Sequence, residues 1–96
     1  MTIQKRWSKM NRENILNKTP EKPGVYQLKS FGKLVYIGSS KNIRSRLLTH
    51  YQERNPNAFR FKTAGLFRSH KKLEKRHLKK YKRKNGRLPD WNAKMV

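Results

Sequence analysis

Apolar residues are sparse and irregular over the first 22 positions, where Ile3, Trp7, Met10, Ile15 and Leu16 stand among cations and Pro20 and Pro23 close the segment. That pattern predicts a basic N-terminal arm over residues 1–22, with a short helix near Asn11 to Asn17, ahead of one domain over residues 23–96. From Gly24 the period becomes two. Val25-Tyr26-Gln27-Leu28 and Leu34-Val35-Tyr36-Ile37 flank Ser30-Phe31-Gly32, which is the pattern of a β-hairpin. A three-residue loop at Ser30, Phe31 and Gly32 places Lys29 opposite Lys33 and Tyr26 directly opposite Tyr36. The second strand is apolar on both faces, Leu34 and Tyr36 on one and Val35 and Ile37 on the other, so a central strand is expected.

After Gly38 the period lengthens to that of a helix. Ser39-Ser40-Lys41-Asn42 supplies capping residues, and Ile43, Leu47, Leu48 and Tyr51 follow at helical spacing, predicting a helix from about Asn42 to Tyr51. Arg46 and His50, four apart, project from it in one direction. Asn55-Pro56-Asn57 breaks the chain, Phe59-Arg60-Phe61-Lys62 alternates as a third strand, and Ser69 can cap a second helix through about Arg83, ended by Asn85-Gly86. The tail from Leu88 to Asn92 reads as a packing or capping segment. The order arm, β, β, α, β, α, tail is that of a small α/β domain.

Composition narrows what this domain can do. A chain of 96 residues with 33% hydrophobic content fills one modest core. Twenty-six Lys and Arg against five acids give a net charge of +21, so a polyanion is the expected partner. The acids Glu13, Glu21, Glu53, Glu74 and Asp90 are dispersed, which disfavours carboxylate dyads, two-metal sites and calcium loops. The absence of Cys removes disulfides, thiolate zinc sites and a Cys nucleophile. No apolar run approaches a membrane span and no signal-peptide pattern begins the chain, so a soluble intracellular protein, cytoplasmic or nucleoid-associated, is expected, with no membrane partner.

The second predicted helix holds the least expected residue. Leu73, Leu78 and Tyr81 form its apolar stripe, and Glu74 falls within that stripe rather than on the Lys/Arg face. Its i+4 position is Leu78, so the favourable Glu-to-Lys pair is absent. Glu74 admits two readings, a partly buried structural acid or a metal ligand. Each other candidate also has a plain alternative. Arg46 and His50 could belong to a solvated basic face, and Tyr26 and Tyr36 could be ordinary core aromatics. His70 and His77 flank Glu74, yet a zinc site there would lack a third ligand. The run from Lys71 to Lys84 is a solvated or phosphate-contacting face. Trp7, Phe31 and Phe67 could stack on bases, although packing is the commoner use.

Gly24-Val25-Tyr26 followed by Tyr36-Ile37-Gly38 resembles the paired signature of the GIY-YIG nucleases, with Val in place of the first Ile. The resemblance extends in order and spacing through Arg46, His50, Glu74 and Asn92, and covers Pro23 to Asn92. It implies a three-stranded antiparallel sheet flanked by helices and a phosphodiester-cleaving endonuclease that uses one divalent cation, Mg²⁺ or Mn²⁺. By that likeness Glu74 would hold the metal, and Tyr26 would act as the general base or orient it. Tyr36 would support the attacking water and the phosphate, Arg46 would stabilise phosphate charge, and His50 would bond the nucleophile or phosphate. Gly38 and Asn92 would be structural near the site, and Lys41, Arg44, Lys71, Lys75 and Arg76 are the candidate backbone contacts. One Glu suffices for a hard ion that keeps most of its waters, which answers the shortage of acids. Repair-type members carry Lys where this chain has Ser39. The expected function is a stand-alone DNA endonuclease of low sequence specificity. The competing expectations are a non-catalytic basic nucleic-acid binder and a nuclease whose substrate is RNA. Oligomeric state is left open, with a dimer or partner protein as ways to gain specificity.

Overall fold

The computed structural model of the chain describes residues 6–65 and 69–94. Ile3 and Phe67 lie outside them. Four strands and four helices follow in order: β1 (Ser8–Lys9), α1 (Arg12–Lys18), β2 (Gly24–Ser30), β3 (Lys33–Ser40), α2 (Ile43–Glu53), β4 (Ala58–Thr63), α3 (His70–Asn85) and α4 (Asp90–Lys94). The helix starts obey local chemistry, because Asn11 accepts from the Asn14 amide at 2.7 Å and Asn42 from the Ser45 amide at 3.0 Å. Gly86, at φ 78°, closes α3 in the left-handed conformation that glycine adopts without steric cost.

The strands form one antiparallel sheet in the order β1-β4-β2-β3. It therefore has four strands instead of the expected three, and the addition comes from the segment read as an arm. Ser8 and Lys9 pair with Phe59 and Ala58, while Met10 and Ile15 are buried in the same core as Tyr26. Residues 8–18 are thus built into the domain, because Met10 and Ile15 bury an apolar face that the surrounding cations obscured in the sequence.

The sheet is covered on both faces. Tyr26, Leu28, Val35, Phe59 and Phe61 pack with Ile15 of α1 and Ile43 and Leu47 of α2. On the other face Val25 and Ile37 pack with Leu73 of α3. Among the described residues no helix is long and apolar enough to cross a membrane.

The hairpin departs from its expected register. Its loop has two residues, Phe31 and Gly32, both at positive φ, and Ser30 pairs with Lys33. A bulge between Leu28 and Lys29 then absorbs an extra residue in β3, so Leu28 faces Tyr36 and Tyr26 faces Gly38. The bulge also swaps sides within β3, sending Val35 and Tyr36 to one core and Leu34 and Ile37 to the other. β3 is an edge strand and not a central one. Its two-sided apolarity has another cause, since helices cover both faces of the sheet, and its open edge is closed by a side chain. Asn92 of α4, a short helix where only a capping tail was expected, donates to the Ile37 carbonyl at 2.8 Å and accepts from the Ile37 amide at 2.9 Å. One amide side chain thereby imitates a neighbouring strand and blocks edge pairing.

Candidate active site

The two motif glycines are explained by crowding. A Cβ on Gly38 would stand 2.6 Å from the Tyr26 hydroxyl oxygen and 2.6 Å from Tyr36 Cε2. Both phenols lie directly over that backbone, as only glycine permits. A Cβ on Gly24 would collide with the Lys62 carbonyl and the Ile43 side chain, so the first glycine lets α2 and β4 close against the start of β2.

Over Gly38 three rings gather. Tyr26 and Tyr36 have centroids 6.0 Å apart, a diagonal cross-strand pair, and His50 of α2 stands 5.4 Å from Tyr26 and 5.1 Å from Tyr36. The Tyr26 hydroxyl and His50 Nε2 share a buried hydrogen bond of 2.8 Å. Burial raises the Tyr26 pKa, with the Tyr36 phenol adding to the rise, Arg46 opposing it and Glu74 contributing. Tyr36 is raised by burial and by Glu74, against the pull of Arg46. His50 is lowered to about 4 by burial first, then by Arg54 and Arg46. At neutral pH the cluster is therefore two phenols and a neutral imidazole, with the Tyr26 hydroxyl donating to Nε2 when the ring proton sits on Nδ1. His50 Nδ1 is buried without a hydrogen-bond partner among the described residues.

Beside this cluster a cleft of about 510 Å³ opens where β3 runs into α2 and the first turns of α3 pass alongside. Ser39, Ser40, Lys41, Arg46, His70, Lys71, Glu74 and Lys75 line it. Glu74 is half-buried, and its Oε1 accepts from the Ser39 hydroxyl at 2.7 Å, while among the described residues it forms no ion pair. No described residue bonds its second oxygen. Exposed Arg46 reaches the cleft from α2. Arg46 and Glu74 also perturb both tyrosines, so cleft and cluster act in one electrostatic field.

The structure thus brings Tyr26, Tyr36 and His50 together in the cluster, and Arg46, Glu74, Lys41, Lys71 and Lys75 together in the adjoining cleft. Arg44 is placed otherwise. Its guanidinium donates to the Thr19 carbonyl at 2.9 and 2.6 Å and approaches Glu21 at 3.5 Å, so it fastens α1 to α2 rather than offering itself to phosphate. Arg76 lies in a second trough on another face of α3. Gly38 and Asn92 shape the backbone of β3 beside the site. His77 is buried, while His70 lines the cleft. No group of three or more His, Cys, Asp and Glu among the described residues could hold a metal, so the zinc alternative has no support there. Trp7 is half-buried beneath Arg60 at 4.3 Å and Lys29 at 5.3 Å, whereas Phe31 is 95% exposed. Ser39 is the site residue to which sequence reasoning gave no part in the site. It appeared there as a candidate helix cap and as a missing lysine, and its bond to Glu74 needs the α3–β3 packing to exist.

The donor set suits a hard divalent cation, because a carboxylate with one oxygen held and the other unbonded by any described residue is an oxygen ligand of the right type. The fold and the paired tyrosine motifs define a domain of the GIY-YIG endonuclease class. The magnesium-bound GIY-YIG N-terminal endonuclease domain of UvrC from Thermotoga maritima superposes with a TM-score of 0.63 at 27% identity, covering 83% of this chain and 92% of that one. Residues 1–80 match the family described as Domain of unknown function (DUF7508), and the chain belongs to that family. Among curated proteins it is similar to UvrABC system protein C of Aquifex aeolicus, 50% identical over 38 residues, covering 40% of this chain and 7% of that protein. The corresponding protein of Hydrogenobaculum sp. is 42% identical over 60 residues, covering 62% of this chain and 10% of that protein. The chain matches about a tenth or less of the length of these relatives.

Proposed function

We propose that this domain is a divalent-metal-dependent endonuclease hydrolysing phosphodiester bonds in DNA, a minimal catalytic unit of low intrinsic sequence specificity. The observation that carries this reading is Glu74, an acid in a cationic cleft, held by Ser39 at 2.7 Å opposite Arg46 and beside the tyrosine pair. Glu74 would hold Mg²⁺ or Mn²⁺ through its unbonded oxygen. Such an ion supplies Lewis-acid polarisation of the phosphate and lowers the pKa of bound water.

The chain's own groups do the rest. Arg46 directs a planar fork of donors at the phosphoryl oxygens, where charge builds in the transition state. Lys41, Lys71 and Lys75 hold the flanking phosphates as flexible point charges, contacts that carry no base information and so favour low specificity. Tyr36, half-buried, presents its hydroxyl toward the reacting water. Tyr26 stays protonated at neutral pH, so it orients that water rather than deprotonating it unaided. A proton leaving through Tyr26 has an acceptor in place, because His50 is neutral and bonded to the same hydroxyl.

Glu74→Gln should abolish Mg²⁺-dependent nicking of plasmid DNA, with gel-shift retention unchanged or stronger. A wild-type protein that retains DNA but never nicks it with Mg²⁺ or Mn²⁺ overturns the enzyme reading in favour of a non-catalytic binder. A protein that cuts RNA and spares DNA overturns the choice of substrate.

A further inference from the structure

The outer face of α3 carries a feature that the cleft chemistry does not use. Lys72, Lys75, Arg76, Lys79, Lys80 and Arg83 are all exposed and line a shallow trough of about 420 Å³. Their spacing is that of two adjacent i, i+4 rows, 72-76-80 and 75-79-83, on one helix face. None of the six belongs to an ion pair among the described residues, where Glu21 and Asp90 take Arg44, Lys33 and Arg87. Like charges four apart destabilise a helix by a few tenths of a kcal/mol per pair, and cations in its first turns oppose its dipole. Arg83, in the last turn, suits the dipole, but the two rows remain like-charged with no paired acid among the described residues. An external polyanion would relieve that repulsion.

We infer that this stripe is a second nucleic-acid contact, which seats one strand of the duplex flanking the cut on a single side. The inference rests on the nuclease reading and extends it to the shape of the substrate. Two observations favour DNA backbone over other anions. Lys75 lines both the trough and the Glu74 cleft, so a backbone leaving the scissile phosphate has a continuous cationic path onto α3. The stripe also has the linear density of a nucleic-acid strand. From Lys72 to Arg83, at a rise of about 1.5 Å per residue, it spans roughly 16 Å. That gives one cation per roughly 3 Å, against one phosphate per roughly 3.4 Å for one strand of a duplex. The length corresponds to about five base pairs. The path runs along α3 from the cleft at its first turns toward Arg83, so the duplex it seats extends to one side of the cut.

The test uses the full chain with Lys72, Lys79, Lys80 and Arg83 all changed to Gln, which keeps helix propensity and spares Lys75 and the cleft; circular dichroism checks that the fold is retained. Anisotropy titrations follow binding to duplexes lengthened stepwise on either side of the preferred nick, or of an abasic mark where nicking is absent. Wild type should gain affinity with lengthening on one side up to about five base pairs, and the variant should lose that gain. The slope of log K against log salt should become shallower by up to about 3 to 4, at about 0.9 for each phosphate no longer neutralised, while turnover on a saturating short duplex is unchanged. Equal salt slopes and equal length dependence in the two proteins overturn the inference. So does a stripe that retains phosphatidylserine vesicles while duplex length has no effect. An inactive wild type that still shows the one-sided gain refutes the nuclease reading alone, and an active one without the gain refutes the stripe alone.

Discussion

The ring cluster and the cleft beside it solve opposite problems. Tyr26, Tyr36 and His50 are held by packing and a buried hydrogen bond, and burial suppresses every charge they could carry. The cleft is open, and it is lined by the acidic and basic side chains Lys41, Arg46, Lys71, Glu74 and Lys75. In this arrangement tight packing belongs to the buried ring cluster and charge to the exposed cleft, and the edge strand β3 is shared between them. Gly38 lies under the rings, and Ser39, the next residue, holds Glu74 on the other side. A one-residue step along a strand reverses the face, which is how one short stretch of backbone serves both regions.

Breaking the glycine should separate the two most severely. In Gly38→Ala the new methyl must displace Tyr26 or Tyr36, and overpacking of that kind costs about 1 to 3 kcal/mol. The expected result is a lowered urea midpoint with nicking lost well beyond the loss of folded protein, while Mg²⁺ binding measured by calorimetry on the folded fraction is retained. Full activity in a stable Gly38→Ala protein would show that the rings need not lie over the strand.

The next effect tests the edge. Asn92→Ala leaves the Ile37 amide and carbonyl half-buried without their partners, a loss of about 1 to 3 kcal/mol. Replacement by Asp keeps the acceptor and should recover part of the stability, whereas Ala and Asp equally destabilised would refute the strand-mimic account.

How much of this was legible follows from where each signal resides. Helices α2 and α3 were readable to within two residues, because Asn42, Ser69 and Gly86 mark their ends locally. That Tyr26, Tyr36 and His50 gather beside a cleft holding Arg46 and Glu74 is what their motif order led one to expect. The hairpin register was not legible, since a three-residue turn pairs Leu28 with Leu34, whereas the two-residue turn and the bulge each shift the pairing by one residue and bring Leu28 to Tyr36. Only packing against α2 decides which side Val35 faces. The structural use of Arg44 was equally hidden, because its acceptor is the carbonyl of Thr19, and a carbonyl has no letter of its own.

Acid comes third. His50 and His77 both have folded pKa values of about 4 against about 6.5 unfolded, so the unfolded chain binds protons more readily between those values. Their stabilisation is complete above pH 6.5 and is lost as pH falls toward 4, by on the order of 1 to 3 kcal/mol each. The two histidines distinguish the regions, since His50 belongs to the ring cluster and His77 to the buried face of α3. His50→Gln and His77→Gln should each flatten part of the acid slope in urea titrations, but only His50→Gln should alter the pH profile of nicking. Identical pH–rate profiles in the two variants would remove His50 from the proton path.

The smallest effect on stability is expected at Ser39, and it separates positioning from folding most cleanly. Its hydroxyl makes one bond to a half-buried carboxylate, so Ser39→Ala should cost about 1 kcal/mol or less. The consequence for the cleft is larger than for the fold, because the freed carboxylate gains rotamers that must be frozen again when an ion binds. Mg²⁺ affinity by calorimetry should fall several-fold and the metal concentration for half-maximal nicking should rise, with turnover at saturating metal nearly preserved. Ser39→Thr, which keeps the hydroxyl, should restore both. If Ala and Thr bind Mg²⁺ as wild type does, the Ser39 hydroxyl fastens α3 to β3 and nothing more, and Glu74 is positioned by packing alone.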